Sequence, residues 1–244
     1  DAFLAYLRKL DELARLFIVA THLEDHEDPA LRTLHVIGRT YSQPYQYFYR
    51  RYAHRTWTPW EPITVEVEGD HLAPVVWRNR LYLFWVTFLE KPQEPNPTAS
   101  DSTKMTEMTV GGNFARIQQK QVEIQLHWSE YLGGTWEERR SGEPTLTSSV
   151  PHDFKPSTVF IHVSKKFEDG EERGVYIHLH GAVNKAFYLA GRNSTPVSEP
   201  LPVNGHSGQR PVNRYSASNP RAARLAGNQR LTVEFIQQIG RAHV

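Results

Sequence analysis

The 244-residue sequence contains no cysteine, which excludes disulfide bonds and thiolate ligands for a metal. It also lacks an excess of either charge, since 28 lysines and arginines are balanced by 27 aspartates and glutamates. This balance favours neither nucleic acid nor an anionic membrane surface as a partner. No apolar run reaches the roughly 20 residues that span a bilayer, and the N-terminus lacks the basic-then-apolar order of a secretory signal. We therefore predict no nucleic acid partner, and membrane contact only through parts of the protein outside this sequence.

The two ends of the sequence have features of a fragment. Residues 1–15 begin without methionine and carry an apolar stripe at helical spacing, which predicts an amphipathic helix leading in from a preceding part of the protein. The stripe consists of Phe3, Leu4, Leu7, Leu10, Leu13 and Ala14. Residues 239–244, IGRAHV, resemble the translation of a sequencing adapter and are predicted to be a non-native tail.

Residues 16–238 are predicted to form one β domain. Segments of strand length, rich in β-branched and aromatic residues, are separated by turn residues. They are LFIVATHLE, TLHVIGRTY, YQYFYRRY, ITVEVE, LAPVVW, RLYLFWVTF, KQVEIQLHW, TWEERR, STVFIHVSKKF, GVYIHLHGAV and KAFYLAG. The Asp169-Gly170 pair predicts a tight hairpin. Two stretches rich in proline and small polar residues, 90–105 and 192–229, are predicted to be loops.

Two similar stretches of the sequence bear on the fold class. The stretches YFYRRYAHRTW (residues 47–57) and LHWSEYLGGTW (residues 126–136) both end in Thr-Trp, and aligning them places Tyr52 against Tyr131. Such recurrence is typical of radial or stacked β repeats. The predicted fold is a mainly antiparallel β domain, propeller-like or sandwich-like, with the amphipathic helix at its N-terminus.

Two resemblances sharpen this prediction. SEYLGGTW (residues 129–136) resembles the Asp-box of sialidase-like propellers, with Tyr131 at the aspartate position. The segments YLRKLDELARL, TLHVIGRT, YQYFYRRY and WTPWEPITVEVEGDHLAPVVWRNRLYLFW, in this order, resemble the neuraminidase-like region of the A component of Tc insecticidal toxin complexes. The Asp-box is an element of the fold, so the match of SEYLGGTW to it implies architecture and not activity.

The Tc resemblance implies a function as well as a fold. The chain would be a non-enzymatic structural module in the shell of a secreted, pore-forming toxin subunit. The subunit would form a homo-oligomer around a translocation channel, would associate with other toxin complex components, and would contact a host receptor. The shell would open in response to pH.

Catalysis by a sialidase-like site is the weakest alternative. Such a site needs converging arginines and a tyrosine with a glutamate partner. The sequence supplies candidates at Arg39, Arg50, Arg51, Arg55, Tyr47 and Tyr49. Adjacent residues of a strand point to opposite faces, so Arg50 and Arg51 cannot line one pocket. We predict no catalytic residues and no cofactor.

Histidines raise the question of a metal site. His22 and His26 lie among Glu24, Asp25, Glu27 and Asp28. His178 and His180 share one face of a strand. A solvated acidic turn and a half-exposed polar face account for these groups without a metal, so no metal site is predicted.

Three aromatic side chains are candidates for ligand binding. Trp57, Trp60 and Tyr131 are candidate stacking platforms for a glycan or receptor, in a lectin-like module of a secreted or cell-surface protein. Trp57 and Trp60 are spaced to project near one another from a turn, and their packing over a hairpin end is the competing interpretation. The near-continuous apolar strands around Trp77, Phe84 and Trp85 predict burial on both faces of a sheet.

Three histidines are candidates for pH sensing. His22, His26 and His71 belong to a set of twelve, and histidine changes charge near neutral pH. Charging them at subunit contacts would weaken the closed shell, since each pKa unit of difference between two states is worth about 1.4 kcal/mol.

Overall fold

The computed structural model describes residues 16–24, 26, 28–69, 71–91 and 119–197. These residues form fifteen β-strands and two short 3-10 turns, Pro29–Leu31 and Pro156–Thr158, and contain no α-helix. The strands are β1 (Phe17–Glu24), β2 (Thr33–Arg39), β3 (Tyr47–Ala53), β4 (Thr56–Trp57), β5 (Glu61–Pro62), β6 (Leu72–Trp77), β7 (Arg80–Lys91), β8 (Gln119–Leu132), β9 (Thr135–Trp136), β10 (Arg140–Ser141), β11 (Leu146–Pro151), β12 (Phe160–Glu168), β13 (Glu171–His180), β14 (Lys185–Ala190) and β15 (Asn193–Val197). The helix predicted at residues 1–15 and the tail predicted at 239–244 lie outside the described residues.

The strands form three antiparallel sheets, which confirms the mainly antiparallel β class. Sheet A has the order β1-β2-β3-β4, with β5 paired to β3. Sheet B has the order β10-β8-β7-β6, with β9 and β11 also paired to β8. Sheet C has the order β12-β13-β14-β15. Each sheet is a meander that starts with its first strand at one edge.

Sheet B lies between the other two sheets. Because successive side chains of a strand point to opposite faces, β7 supplies both interfaces at once. Leu81, Leu83 and Trp85 pack with residues of sheet A. The alternate residues of the same strand, Tyr82 and Phe84 among them, pack with residues of sheet C. The predicted burial on both faces is confirmed: Trp77 is 1% exposed, and Phe84 and Trp85 are 0% exposed.

The first strands of the three sheets contact one another. β6 contacts β1 on one side and β12 on the other. The Val76 backbone N–H donates to His22 Nε2 over 3.2 Å, which joins β6 to β1. His71 Nε2 donates to the Pro156 carbonyl over 2.7 Å, which joins the start of β6 to the segment before β12. The stack is therefore closed along one side, while no ring of sheets is completed within the described part of the chain.

The two similar stretches, residues 47–57 and 126–136, form equivalent hairpins. Tyr52 pairs with Trp57 at the end of β3 and β4. Tyr131 pairs with Trp136 in the same position of β8 and β9. Both turns have left-handed backbone at their central residues, His54 and Arg55 in one and two glycines in the other. The predicted Asp169-Gly170 hairpin is also confirmed, with φ of 53° and 79° in the turn between β12 and β13.

Two predicted strands differ from the structure. In TWEERR (residues 135–140) only Thr135–Trp136 form β9 and Arg140 begins β10, with no strand between them. The segment ITVEVE (residues 63–68) forms no strand, although its side chains alternate as expected. Ile63, Val65 and Val67 pack on the core between sheets A and B, while the intervening residues are exposed. The alternation therefore reports a half-buried extended segment for which no neighbouring strand supplies a hydrogen-bonded ladder.

Both predicted loops begin later than the sequence indicated. β7 continues through Lys91, and β15 occupies Asn193–Val197. Residues 92–105 and 198–229 lie outside the described residues. β7 and β8, which flank the first of these stretches, are paired from Leu81 with Tyr131 to Lys91 with Gln121. Residues 92–118 therefore connect two strands of one sheet.

Candidate functional site

Trp57 and Trp60 lie on the face of sheet A that is turned away from sheet B. Both rings pack on Leu34 and Val36, together with Tyr52. The Arg50 guanidinium lies between them, 4.0 Å from the ring centre of Trp57 and 4.4 Å from that of Trp60. The sequence brings the two tryptophans together as expected, and the arginine is the additional component.

The faces of the two indole rings stabilise the charged guanidinium of Arg50. Burial lowers the pKa of its guanidinium, and its buried Nε finds no hydrogen-bond acceptor within the described residues. A cation over an indole face gains about 0.5–2 kcal/mol, more when water is excluded. One face of each indole is thus occupied by the protein itself, so packing explains both tryptophans without a ligand.

Replacing Arg50 with glutamine should destabilise the protein by about 1–2 kcal/mol, because two cation–π contacts are lost and the tryptophans keep an empty gap between them. The measurement is the free energy of unfolding in urea. Arg55→Gln, in the exposed turn after β3, is the matched control and should change it by less than about 0.5 kcal/mol. Equal stability of the two variants would contradict the described role of Arg50.

Tyr131 lies on the other side of sheet A, between sheets A and B. Its ring centre is 5.0 Å from that of Tyr49 and 5.1 Å from that of Trp136. Its hydroxyl donates to the Glu61 carboxylate. Burial and then this hydrogen bond raise the pKa of Tyr131 to about 12. The structure therefore does not combine Tyr131 with Trp57 and Trp60 into one platform.

A polar network that the sequence did not predict lies beside Tyr131, which contacts it through the ring of Tyr49. The Tyr49 hydroxyl and His35 Nδ1 are 2.9 Å apart in the buried interior. Burial raises the pKa of Tyr49, so its hydroxyl stays protonated. His35 Nε2 lies 3.6 Å from Glu24, which is half exposed. A signal was available: His35 and Tyr49 both fall on the inward-facing positions of paired strands.

The arginines and tyrosines considered for catalysis do not converge. Arg39 lies 3.9 Å from the ring centre of Tyr45, and Arg50 lies on the outer face of sheet A. Tyr47 donates its hydroxyl to the Gly69 carbonyl over 2.7 Å. Each of these side chains is held by a separate packing contact, so they form no common pocket.

The three candidate pH sensors occupy three different environments. His22 is fully buried where β1 meets β6, and burial, followed by the charges of His35 and Lys165, lowers its pKa. His71 is 5% exposed and is held by its bond to Pro156. His26 lies at the surface, where its Nδ1 accepts from the Asp28 backbone N–H over 3.0 Å. The structure does not bring the three together.

Sheet C carries a second histidine group on its outer face. The ring centres of His162, His178 and His180 lie 5.8 to 6.4 Å apart. His178 Nε2 is 2.9 Å from the Ser164 hydroxyl. Burial, then the charges of His162 and His180, lower the pKa of His178 to about 4. His178 is therefore neutral in the folded protein at neutral pH.

This lowered pKa predicts acid sensitivity. Below the ordinary value of 6.5 the unfolded chain takes up a proton at His178, while the folded chain does not until pH falls to about 4. The free energy of unfolding should therefore decrease as pH falls through this window. The decrease should be smaller in His178→Gln, whereas His152→Gln, at an exposed position, should behave like wild type. Urea unfolding at several pH values measures this, and equal pH slopes for His178→Gln and wild type would contradict it.

The metal candidates gain no support from the geometry. In the described residues no group of three or more histidine, aspartate or glutamate side chains is arranged to hold an ion. Asp28 accepts from the Ala30 backbone N–H over 2.8 Å, which is ordinary turn chemistry. Asp25 and Glu27 lie outside the described residues. No helix in the described part of the chain is long and apolar enough to span a membrane.

A family profile, one toxin subunit and two solved structures match this chain. The profile of the neuraminidase-like domain family matches residues 16–193. Toxin subunit YenA2 of Yersinia entomophaga is 30% identical over 107 residues, covering 38% of this chain and 8% of that protein. The structure of TcdA4 from Morganella morganii aligns with a TM-score of 0.53 and 16% identity, over 81% of this chain and 8% of that chain. TcaA-TcaB of Yersinia pseudotuberculosis aligns over 80% of this chain and 9% of that chain, with 15% identity and a TM-score of 0.35.

The two solved structures align with most of this chain, the YenA2 match covers 38% of it, and all three known proteins are covered sparsely. The chain spans less than a tenth of the length of each of these relatives. The family match, in contrast, extends from the start of β1 to the start of β15. The resemblance to the neuraminidase-like region of the Tc toxin A component is confirmed, and the chain belongs to the neuraminidase-like domain family.

Proposed function

We propose that this chain is a non-enzymatic structural module in the shell of a Tc-type insecticidal toxin A subunit. The observation that carries the proposal is the coincidence of the family match with the three stacked sheets. Within this stack Tyr49, Trp77, Phe84 and Trp85 are buried between sheets. A module of this kind bears mechanical load and does not require an active site.

The proposed architecture is a set of successive propeller blades. Each sheet is an antiparallel meander, and the first strands β1, β6 and β12 contact along one side. Blades of a propeller stack face to face in the same way, with their first strands towards the axis. The outer faces of sheets A and C would then be the sites where further blades or neighbouring subunits pack.

The absence of catalysis is supported by the state of the candidate groups. The hydroxyl of Tyr49 is buried, and burial raises its pKa, so it is a poor nucleophile. Arg39 and Arg50 are engaged by aromatic rings on separate parts of sheet A. A sialidase mechanism needs such arginines around one substrate carboxylate.

The pH response would act through His22. This side chain accepts a hydrogen bond from β6 while it belongs to β1. Protonation of Nε2 would remove that acceptor and place a charge in the buried joint between the first two sheets. The lowered pKa means that the joint holds at neutral pH and weakens in acid. Opening of a homo-oligomeric, secreted shell after host receptor contact is the function that this joint would serve.

A glycan-binding module is the second candidate, supported by the partly exposed Trp57 and Trp60. A glycan array with wild type and with Trp57→Ala separates it from the structural role. The structural proposal expects no saturable binding that depends on Trp57. Sugar binding that is lost in Trp57→Ala would favour the lectin-like reading.

The direct test of the proposed function is electron cryomicroscopy of an assembled A subunit that carries this module, together with a fluorogenic sialoside assay. We expect the three sheets in the wall of a closed shell and no release of the fluorophore above background. Sheets projecting freely from the assembly, or turnover of the sialoside, would overturn the proposal.

A further inference from the structure

A cleft lined by arginines lies at one end of sheets B and C. Its volume is about 470 Å³, and its lining includes Arg78, Arg80, Arg140 and Arg192. The turn between β6 and β7 supplies the first of these and the turn between β14 and β15 supplies the last. None of the side chains proposed above for glycan contact or pH sensing lines this cleft.

The cleft has more positive than negative charge. Glu130 is largely buried in its wall, accepts a hydrogen bond from Arg80 over 3.2 Å and forms an ion pair with Arg140 over 3.4 Å. Glu137 is the second carboxylate of the lining, and its residue is exposed. The lining thus contains four guanidinium groups and two carboxylates, which leaves a surplus of positive charge in a concave site.

Two of the arginines have donors to spare. The Arg78 backbone N–H donates to a Glu172 carboxylate oxygen over 3.0 Å, and its Nε donates to the Glu172 carbonyl over 3.4 Å. The same guanidinium lies 4.8 Å from the ring centre of Trp77. These contacts fix the Nε end of Arg78, and its terminal nitrogens have no hydrogen bond within the described residues. Arg192, in the described part of the chain, has no hydrogen bond or ion pair.

A buried donor in the same lining is also unsatisfied. Trp77 is 1% exposed and lines the cleft, and its indole N–H has no acceptor among the described residues. The Nε1 atom is itself inaccessible to solvent, so Trp77 contributes an apolar ring beside Arg78 to the wall of the cleft and no donor to a ligand.

We propose that this cleft binds a small organic anion, with one oxyanion group held by Arg78 and Arg192 and a body about the size of one sugar ring. Guanidinium groups bind carboxylate, sulfate and phosphate through paired N–H donors. A volume of this size falls within the range of small-molecule sites, about 300–1,000 Å³, and exceeds what a bare ion fills. The site is independent of the shell function, and either proposal can fail alone.

The cleft binds its ligand without covalent chemistry. Burial, followed by the charge of Glu130, raises the pKa of Tyr82, so its hydroxyl is protonated at neutral pH. Glu130 is engaged with Arg80 and Arg140 and is not available as a base. The anion is therefore bound and released unchanged.

Isothermal titration of the protein with glucose 6-phosphate, glucose 6-sulfate, glucuronate and glucose tests the site, because the four probes share one ring and differ in charge. We expect saturable binding of at least one anionic probe and none of glucose. The double variant Arg78→Gln/Arg192→Gln should weaken this binding by about tenfold or more, as expected for charged hydrogen bonds. Arg55→Gln, in an exposed turn of sheet A, is the matched control and should bind like wild type.

The remaining outcomes each overturn the proposal. They are no binding of any anionic probe by wild type, equal binding of glucose, and unchanged affinity in the double variant. Inorganic sulfate that binds as tightly as glucose 6-sulfate would show a bare ion site and would overturn the sugar-sized body. If the glutamine variant proves unstable, Arg78→Lys/Arg192→Lys takes its place. This variant keeps the charges and removes the paired donors, so it should bind the anionic probe with intermediate affinity.

Discussion

Replacing Trp85 with alanine should lower the free energy of unfolding by about 3–5 kcal/mol, the usual cost of truncating a large core aromatic residue. Trp85 is 0% exposed and packs in the core between sheets A and B. Its ring centre is 5.8 Å from that of His127 on the neighbouring strand. Removal of the indole would leave a cavity between the two sheets. The cavity cannot collapse, because the paired strands are rigid. Urea unfolding measures the loss.

Two variants make the Trp85 result interpretable. Leu89→Ala, on the same strand but 63% exposed, should cost less than about 0.5 kcal/mol. Trp85→Phe should cost much less than alanine, because the indole N–H of Trp85 has no acceptor in the described residues and only part of the ring is lost. A Trp85→Ala protein that unfolds at the wild-type urea concentration would show that this side chain is not in the core.

Gly181→Ala should cost about 3 kcal/mol through a different mechanism. Gly181 follows β13 with a φ of 104°, in a region that side chains rarely adopt, and such strain costs about 1–3 kcal/mol. A Cβ there would also lie 2.4 Å from the Thr158 carbonyl oxygen, so the backbone would have to shift. Thermal unfolding should show a clearly lowered midpoint.

The matched control for this glycine is Gly170→Ala. Gly170 has a φ of 79°, but a Cβ there meets no atom within 4 Å. This variant carries the backbone strain without the collision and should lose only about 1–2 kcal/mol. If Gly170→Ala and Gly181→Ala were equally destabilised, the close approach of Thr158 would have no energetic role.

Much of the strand pattern follows from the sequence because alternation and turn residues are local signals. β6 and β7 are near-continuous in apolar residues, and this alone predicted that both faces of sheet B are covered. The repeated Thr-Trp hairpins were likewise visible before the structure. The segment ITVEVE shows the limit: alternation reveals which side chains are buried, while a strand also requires a neighbour for its backbone, and this depends on distant parts of the chain.

The sites were harder to predict because they join residues far apart in sequence. Tyr131 and Glu61 are 70 residues apart, and no local pattern links them. Trp57 and Trp60 were correctly expected near one another, yet the insertion of Arg50 between them depends on the facing positions of β3. The arginine cleft combines turns of two sheets, so its assembly requires the stacking order of sheets B and C.

The central claim is that sheet B is the shared core of a packed structural stack. Amide hydrogen exchange tests this claim most directly, because exchange from the innermost strands requires the largest opening. We expect the slowest exchange in β7 and the paired part of β8, and faster exchange in β4 and β15 at the far edges of sheets A and C. Exchange in β7 that is as fast as in β4 or β15 would contradict the account.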